Sequence, residues 1–379
     1  MSSFSFLAYN LPDERIAQRP IGQGSDRSNS KLLQAIKLPD TSVAISDQYY
    51  FDLPDLLRVG DLLVLNNSKV RPCRFFVRLE NVQKEIEILL IKKVETLAAS
   101  SQNISQVWEA LARPMKRLKI GQAFELSPSL QALPIGRSQD NNRLLLEISI
   151  TGANVAQAIP PMCETVEEVL LREARMPIPP YIRGGRADSQ DRDTYQNVYA
   201  ETSGSIAAPT AGFHFSAELL KKLSERGIEH TYLTLHVSTA SFTPIRKSDI
   251  AGHKMSEEYY EISRSTLEKI CLAKKEQRRI IVVGTTCLRA LESAALNAVF
   301  CKDLGQNEKI TDSTSLFITP GFKFQVADCL ITNFHQPNST HLLVVASFIG
   351  EKNTQTIYKH ALNEGNYRFL SYGDGMLLE

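Results

Sequence analysis

Between Cys73 and Gly152 the chain shows no helical period. Short β-like runs recur instead: Phe75–Leu79, Glu85–Ile91, Val107–Ala112, Gln122–Leu126 and Arg143–Ile150. Turn-rich segments such as Leu97–Ser105 and Ser138–Asn142 separate them. Several short strands at such spacing predict a small antiparallel β-barrel or sandwich. A helix-free block of this size limits the architecture, because both of its flanks read differently.

Before it, Gly60-Asp61 opens the apolar run Leu62–Leu65, a buried strand ended by Asn66-Asn67. After Pro160-Pro161 helices return. Thr165 and Glu168 form a capping box ahead of Val166, Val169 and Leu170. Further helices are predicted over Ser216–Arg226, with Gly227 at its C′ position, and over Ser263–Gln277. Arg279–Val283 is a strand that breaks at Gly284 and leads into a helix over Cys287–Val299. Strands at Leu316–Thr319 and Val326–Thr332 precede helices over about Thr340–Ile349 and Thr354–Asn363. Alternating strands and helices make an α/β unit. The predicted fold is an α/β (α+β) main domain, residues 1–72 plus 156–379, with an inserted small antiparallel β-barrel domain, residues 73–155. A length of 379 residues suits two domains.

Charge narrows the function classes. Lys+Arg number 43 and Asp+Glu 42, which excludes a strongly basic nucleic-acid binder but permits a local basic patch. From Arg71 to Lys119, ten Lys/Arg face five Asp/Glu. Arg113, Lys116 and Arg117 concentrate that excess, and a phosphate backbone is its natural partner. A merely solvated face is the competing reading. The six cysteines form no CxxC pair, so reduced thiols are expected rather than disulfides or a metal site. The N-terminus lacks the basic region of a signal peptide, and the longest apolar run, Leu342–Ile349, is too short to span a membrane. A soluble cytoplasmic protein is expected.

Five segments carry possible chemistry. In Ser205–Phe215 small residues around Gly212 would let a flat ligand approach, Ser205 and Thr210 offer hydroxyls, and His214 offers a proton-transfer group. A tight loop with a core histidine fits equally well. In Thr231–Val237, alternation turns His236 away from the more apolar face, as a candidate acid or base or an ordinary half-buried residue. At Gly284-Thr285-Thr286 a helix N-terminus supplies unpaired N–H groups for a carboxylate or phosphate. Arg289 lies one turn on and either binds there or pairs with Glu292. In Thr332–Thr340, Asn333 and His335 stand at a strand end, where either ligand contacts or plain turn chemistry is expected. In Tyr367–Leu378, Asp374 lies between two glycines as a ligand-reaching carboxylate or a turn residue. Neither a dinucleotide fingerprint nor a phosphate-loop GK[ST] is present.

These segments, in order, resemble the S-adenosylmethionine:tRNA ribosyltransferase-isomerase family of queuosine biosynthesis. The resemblance runs through YNLPDERIAQRP, GDLLVLNNSKVRP, EIEILLI, WEALARPMKRLKIG, PPYIR, YQNVYA, SIAAPTAGFHF, TYLTLHV, VGTTCLRALES, LFITPGFKF, TNFHQPNST and YRFLSYGDGM. It implies transfer and isomerisation of the ribosyl part of S-adenosylmethionine onto 7-aminomethyl-7-deazaguanine at the tRNA wobble position. Epoxyqueuosine, adenine and methionine result. S-adenosylmethionine is then a consumed cosubstrate, with no true cofactor and no metal. The proton-handling residues implied are His214, His236 and Asp374. Substrate contacts fall to Ser205, Thr210, Gly212, Gly284, Thr285, Thr286, Arg289, Asn333 and His335. tRNA contacts fall to Lys69, Arg71, Arg113, Lys116 and Arg117, on a monomer with no membrane association. The chain departs from the family pattern at Ser238 and Ala240, where glycines are usual, and at Ser256, where a histidine is usual. Cys73 and Gln336 also replace commoner residues. The alternative is a catalytically impaired tRNA-binding homologue of the same fold.

Overall fold

The computed structural model describes residues 4–22, 24–79, 83–94, 105–139, 142–151, 164–238, 255–297 and 308–379. Its chain divides into two compact units. One comprises Met1–Val70, Pro179–Gly185 and Asp193–Glu379, the other Arg71–Ile178 and Arg186–Arg192.

The first unit is built on a nine-stranded sheet among the described residues. Its spatial order is Lys309–Thr314, Glu258–Ser263, Glu229–Leu235, Leu62–Asn66, Ile280–Val283, Cys329–Asn333, Gly375–Leu378, Lys31–Lys37 and Val43–Tyr49. The four strands from Glu229–Leu235 to Cys329–Asn333 run parallel; outside them the pairs are antiparallel, except that Gly375–Leu378 and Lys31–Lys37 run parallel to each other. The reason is legible in the side chains. Leu62–Asn66, Ile280–Val283 and Cys329–Asn333 are buried at every position, as parallel strands covered on both faces must be. Leu62, Val64, Ile280, Val282 and Leu330 enter one apolar core. Leu63, Leu65, Ile281, Val283 and Ile331 enter the other. Ala217–Glu225 covers the second face through Leu219, Leu220 and Leu223. Thr285–Leu296, Thr340–Ile349 and Glu351–Asn363 contribute to the first.

Most predicted helices stand where periodicity and caps place them. Ser216 caps Ala217–Glu225 by accepting from the Leu219 N–H at 3.0 Å. The strand expected at Leu316–Thr319 is absent; that segment is irregular and Lys309–Thr314 is the strand. The carbonyls of Thr314 and Leu316 instead accept from Arg289, and Pro320 follows directly. Glu258–Ser263 pairs with Lys309–Thr314 along its whole length and buries Glu258, Tyr260 and Ile262.

The second unit holds a six-stranded antiparallel sheet, nearly closed into a barrel. Its order is Arg74–Val77, Ile86–Lys93, Ser105–Arg113, Leu144–Ile150, Leu130–Arg137 and Phe124–Ser127. Alternating Trp108, Ala110, Ala112 and Leu144, Leu146, Ile148 are buried. Register shifts at Leu90/Lys92 and Leu145/Leu146 supply bulges, which increase twist and aid closure. Leu130–Arg137 carries Pro134 and Gly136, so its sequence hides a strand; Pro134 sits beside a bulge, where the missing N–H is tolerated. The capping box is present: the Thr165 N–H donates to Glu168 Oε2 at 2.7 Å, and the Glu168 N–H to Thr165 Oγ1 at 3.3 Å.

Much of the expected turn Leu97–Ser105, the domain limit at 155, Cys163, Cys301, the end of the helix expected to reach Val299, and positions 240 and 253 lie outside the described residues. No described helix is long and apolar enough to cross a membrane.

Candidate active site

In an open α/β sheet, ligands bind beyond the carboxyl ends of the parallel strands. The first unit has a cleft there, with about 890 Å³ of empty space counting the part open to solvent. Strand ends supply Val237, Gly284 and Thr332–His335 to its wall, and Ala207–Ala211 and Leu370-Ser371 complete it. Gly284 (φ 91°) N-caps the helix Thr285–Leu296, so Thr285 and Thr286 face the cleft at its positive end. A second helix, Thr340–Ile349, begins on the same wall behind Ser339. The described residues lining this cleft include no carboxylate, lysine or arginine.

Gly284, Thr285, Thr286, Thr210, Asn333 and His335 thus meet around one cleft. Thr210 Oγ1 donates to Asn333 Oδ1 at 3.0 Å. The Asn333 amide then reaches His214 Nε2 at 3.1 Å and the Leu370 carbonyl at 3.3 Å. His335 is fixed on three sides. Its N–H donates to Tyr358 Oη at 3.0 Å, its carbonyl accepts from Tyr9 Oη, and its Nε2 meets Thr332 Oγ1 at 3.0 Å.

Other candidates stand elsewhere. His214 does not line the cleft. It is 3% exposed and stacks on Tyr50 at 4.2 Å. Burial, helped by Arg368 and Arg27, pushes its pKa down to about 3, so it is neutral at pH 7 and poorly suited to exchange protons there. Asp374 is buried too, with its pKa raised by desolvation. Its carboxylate accepts from the N–H groups of Lys31 (3.1 Å) and Arg368 (2.7 Å), clamping the chain end to the first strand. Ser205 is fully buried, and its Oγ accepts from Ser68 and from the Val237 N–H. A Cβ on Gly212 would meet Tyr199 Oη at 2.0 Å, so that glycine serves packing rather than ligand approach.

Arg289 does not line the cleft. Its guanidinium pairs with buried Glu258 and donates to the carbonyls of Leu316 (3.0 Å) and Thr314 (3.3 Å). Glu292 is not its partner; that carboxylate accepts from the N–H groups of Gln325, Val326 and Ala327. His236 precedes the wall residue Val237 in sequence and does not itself line the cleft; it is half-buried, with Nδ1 3.0 Å from Ser68 Oγ and its ring parallel to Tyr259.

His341 escaped the sequence reading. It lines the cleft and stacks on His335 at 5.1 Å. Burial and Arg289 push its pKa down to about 4, and burial with His341 lowers that of His335 well below the usual imidazole value. Both rings are therefore neutral. Tyr181 and Ser371, hydroxyl to hydroxyl at 2.8 Å, were missed as well. The one available signal was position: His341 follows the capping Ser339-Thr340 at a helix start.

In the second unit Arg113, Lys116 and Arg117 are exposed around a one-turn helix, Met115–Arg117. Arg71 is not a surface cation of that set. Its guanidinium lies 4.3 Å from the Trp108 ring and donates to the Ile91 carbonyl at 3.0 Å, and burial lowers its pKa. Lys69, in the first unit, is exposed. Among the described residues no cluster of three His, Cys, Asp or Glu is arranged to hold a metal ion.

The chain is similar to known proteins over its whole length. It is 39% identical to the S-adenosylmethionine:tRNA ribosyltransferase-isomerase of Ruegeria pomeroyi, covering 100% of this chain and 99% of that one. It is 37% identical to the protein of that name from Clostridioides difficile, covering 98% of each. A crystal structure of S-adenosylmethionine tRNA ribosyltransferase from Thermotoga maritima matches with a TM-score of 0.51 and 29% identity, covering 99% of this chain and 100% of that one. A family model described as "Queuosine biosynthesis protein" matches residues 3–378. With a strand-end cleft built from the resembling segments and a match along nearly every residue, the chain belongs to the queuosine biosynthesis protein family.

Proposed function

We propose that this protein is an S-adenosylmethionine:tRNA ribosyltransferase-isomerase. Its acceptor is 7-aminomethyl-7-deazaguanine at the wobble position, and its products are epoxyqueuosine, adenine and methionine. The observation that carries the reading is the cleft at the strand ends. It offers helix N-termini, hydroxyls and neutral imidazoles, with small residues Ala207, Ala208 and Ala211 forming a floor a flat base can approach. Such a site suits a zwitterionic nucleoside whose carboxylate meets the Gly284–Thr286 helix start.

The reaction needs a base for the proton on the carbon next to the sulfonium, and a donor for the departing adenine. His236 is the proton acceptor in our reading, since His214 and Asp374 are committed to holding Asn333 and the chain end. His335 and His341, neutral and facing the cleft, serve the leaving base by hydrogen bonding. The barrel unit contributes tRNA phosphate contacts through Arg113, Lys116 and Arg117, and Lys69 adds one from the first unit. No metal enters the scheme, and the protein acts as a monomer.

Incubation with labelled S-adenosylmethionine and tRNA carrying the deazaguanine is expected to release adenine and methionine and to label the nucleoside. S-adenosylhomocysteine would mark a methyltransferase instead, and no product the impaired homologue. His236→Ala should lower turnover by about 10²–10⁴-fold with the fold retained. A folded variant with normal turnover removes His236 from the chemistry.

A further inference from the structure

Ser68 lies 168 positions before His236, yet their side chains meet at 3.0 Å. Around that contact the structure is over-determined. Asn66 Oδ1 accepts from the Ser68 N–H at 2.9 Å and from the Leu235 N–H at 3.1 Å, fastening the serine to the strand that carries the histidine. The ring is confined opposite Gly204, where a Cβ would come within 2.7 Å of its Cε1. Ser68 itself is 1% exposed, so solvent does not decide its hydrogen bonds.

A hydroxyl has one proton to donate. Ser68 donates it to Ser205 Oγ at 2.9 Å. Toward the imidazole its oxygen can then only accept. We propose that Ser68 is a positioning residue: it obliges His236 to carry its proton on Nδ1 and so puts the lone pair on Nε2. The inference rests on the reading of His236 as proton acceptor, and it adds the group that prepares it. A neutral imidazole in the opposite tautomer would present an N–H where a base is needed. Gly204 belongs to the same device, because only a residue without Cβ leaves room for the ring.

Side-chain ¹⁵N NMR of histidine-labelled protein tests this directly, with His236 assigned by the resonance that disappears in His236→Gln. The wild type should show protonated Nδ1 and bare Nε2. Ser68→Ala should shift the ring toward the other tautomer and lower turnover about tenfold or more at little-changed KM. Ser68→Thr, which keeps the hydroxyl, should restore both. A wild-type ring protonated on Nε2, or an unaltered spectrum in Ser68→Ala, overturns the proposal. The wild-type spectrum alone decides the matter if Ser68→Ala does not fold. The two readings fail separately. An active His236→Gln with the expected wild-type spectrum removes the proton-acceptor role and leaves the tautomer assignment standing.

Discussion

The cleft end of the nine-stranded sheet and the rim of the six-stranded barrel handle charge in opposite ways. Around the cleft, charged side chains are buried and committed. Arg289 is held by Glu258, and Asp374 by the N–H groups of Lys31 and Arg368. The groups that face the cleft are neutral. On the barrel, Arg113, Lys116 and Arg117 stand in solvent. Their charges are screened by salt and contribute little to folding. Under the proposed function, the difference separates two tasks. A neutral, preorganised wall suits bond making, where fixed dipoles act most strongly in a site with little water. Exposed cations suit a polyanion bound through its backbone without base readout.

The contrast breaks first at the buried pair. Glu258→Ala leaves Arg289 charged and uncompensated, and it should cost about 3–5 kcal/mol of stability, seen as a lowered Tm. Arg289→Ala should likewise act on Tm before it acts on the KM for S-adenosylmethionine. A rise in that KM at unchanged Tm would return Arg289 to the substrate. On the barrel, the triple replacement of Arg113, Lys116 and Arg117 by Gln should leave Tm nearly unchanged. It should weaken tRNA binding and flatten its salt dependence by about 0.7–0.9 in log–log slope for each phosphate left without its cation. Equal affinity across salt concentrations would show these cations to be only a solvated face.

The last effect, seen only on acidification, concerns neutrality itself. His214 has a folded pKa of about 3, against an ordinary value of 6.5. Its neutral form favours the folded state, so that contribution is complete above pH 6.5. It is lost as pH falls from 6.5 toward 3, where the unfolded chain binds a proton that the folded chain refuses. The slope is about 1.4 kcal/mol per pH unit for one proton. His214→Phe, which keeps an aromatic ring on Tyr50, should make the unfolding free energy less steep across that window. An unchanged slope would mean that the histidine is protonated in the folded protein.

Hydrophobic pattern and caps were legible without coordinates. Leu62–Leu65 and Ile280–Val283 declared themselves as buried strands because parallel strands covered on both faces must be apolar throughout. Thr165 with Glu168 and Ser216 with Gly227 marked helix ends through short-range hydrogen bonding. The barrel followed from several short strands without a helical period. Strands were missed where the pattern is weak, as in the edge strand Lys309–Thr314, or interrupted, as at Pro134 in Leu130–Arg137.

For the cleft, the sequence identified Thr210, Gly284–Thr286, Asn333 and His335, because loops at strand ends carry characteristic small and polar residues. It could not say which way neighbouring side chains turn. His214, read as a proton-transfer group or a core histidine, is a buried prop for Asn333, 119 positions away; Asp374, read as a ligand-reaching carboxylate or a turn residue, clamps Lys31, 343 positions away. Local spacing determines which elements form, since helices and turns close over a few residues. Burial, pairing and proton position depend on contacts between distant segments, and only the tertiary structure brings those together.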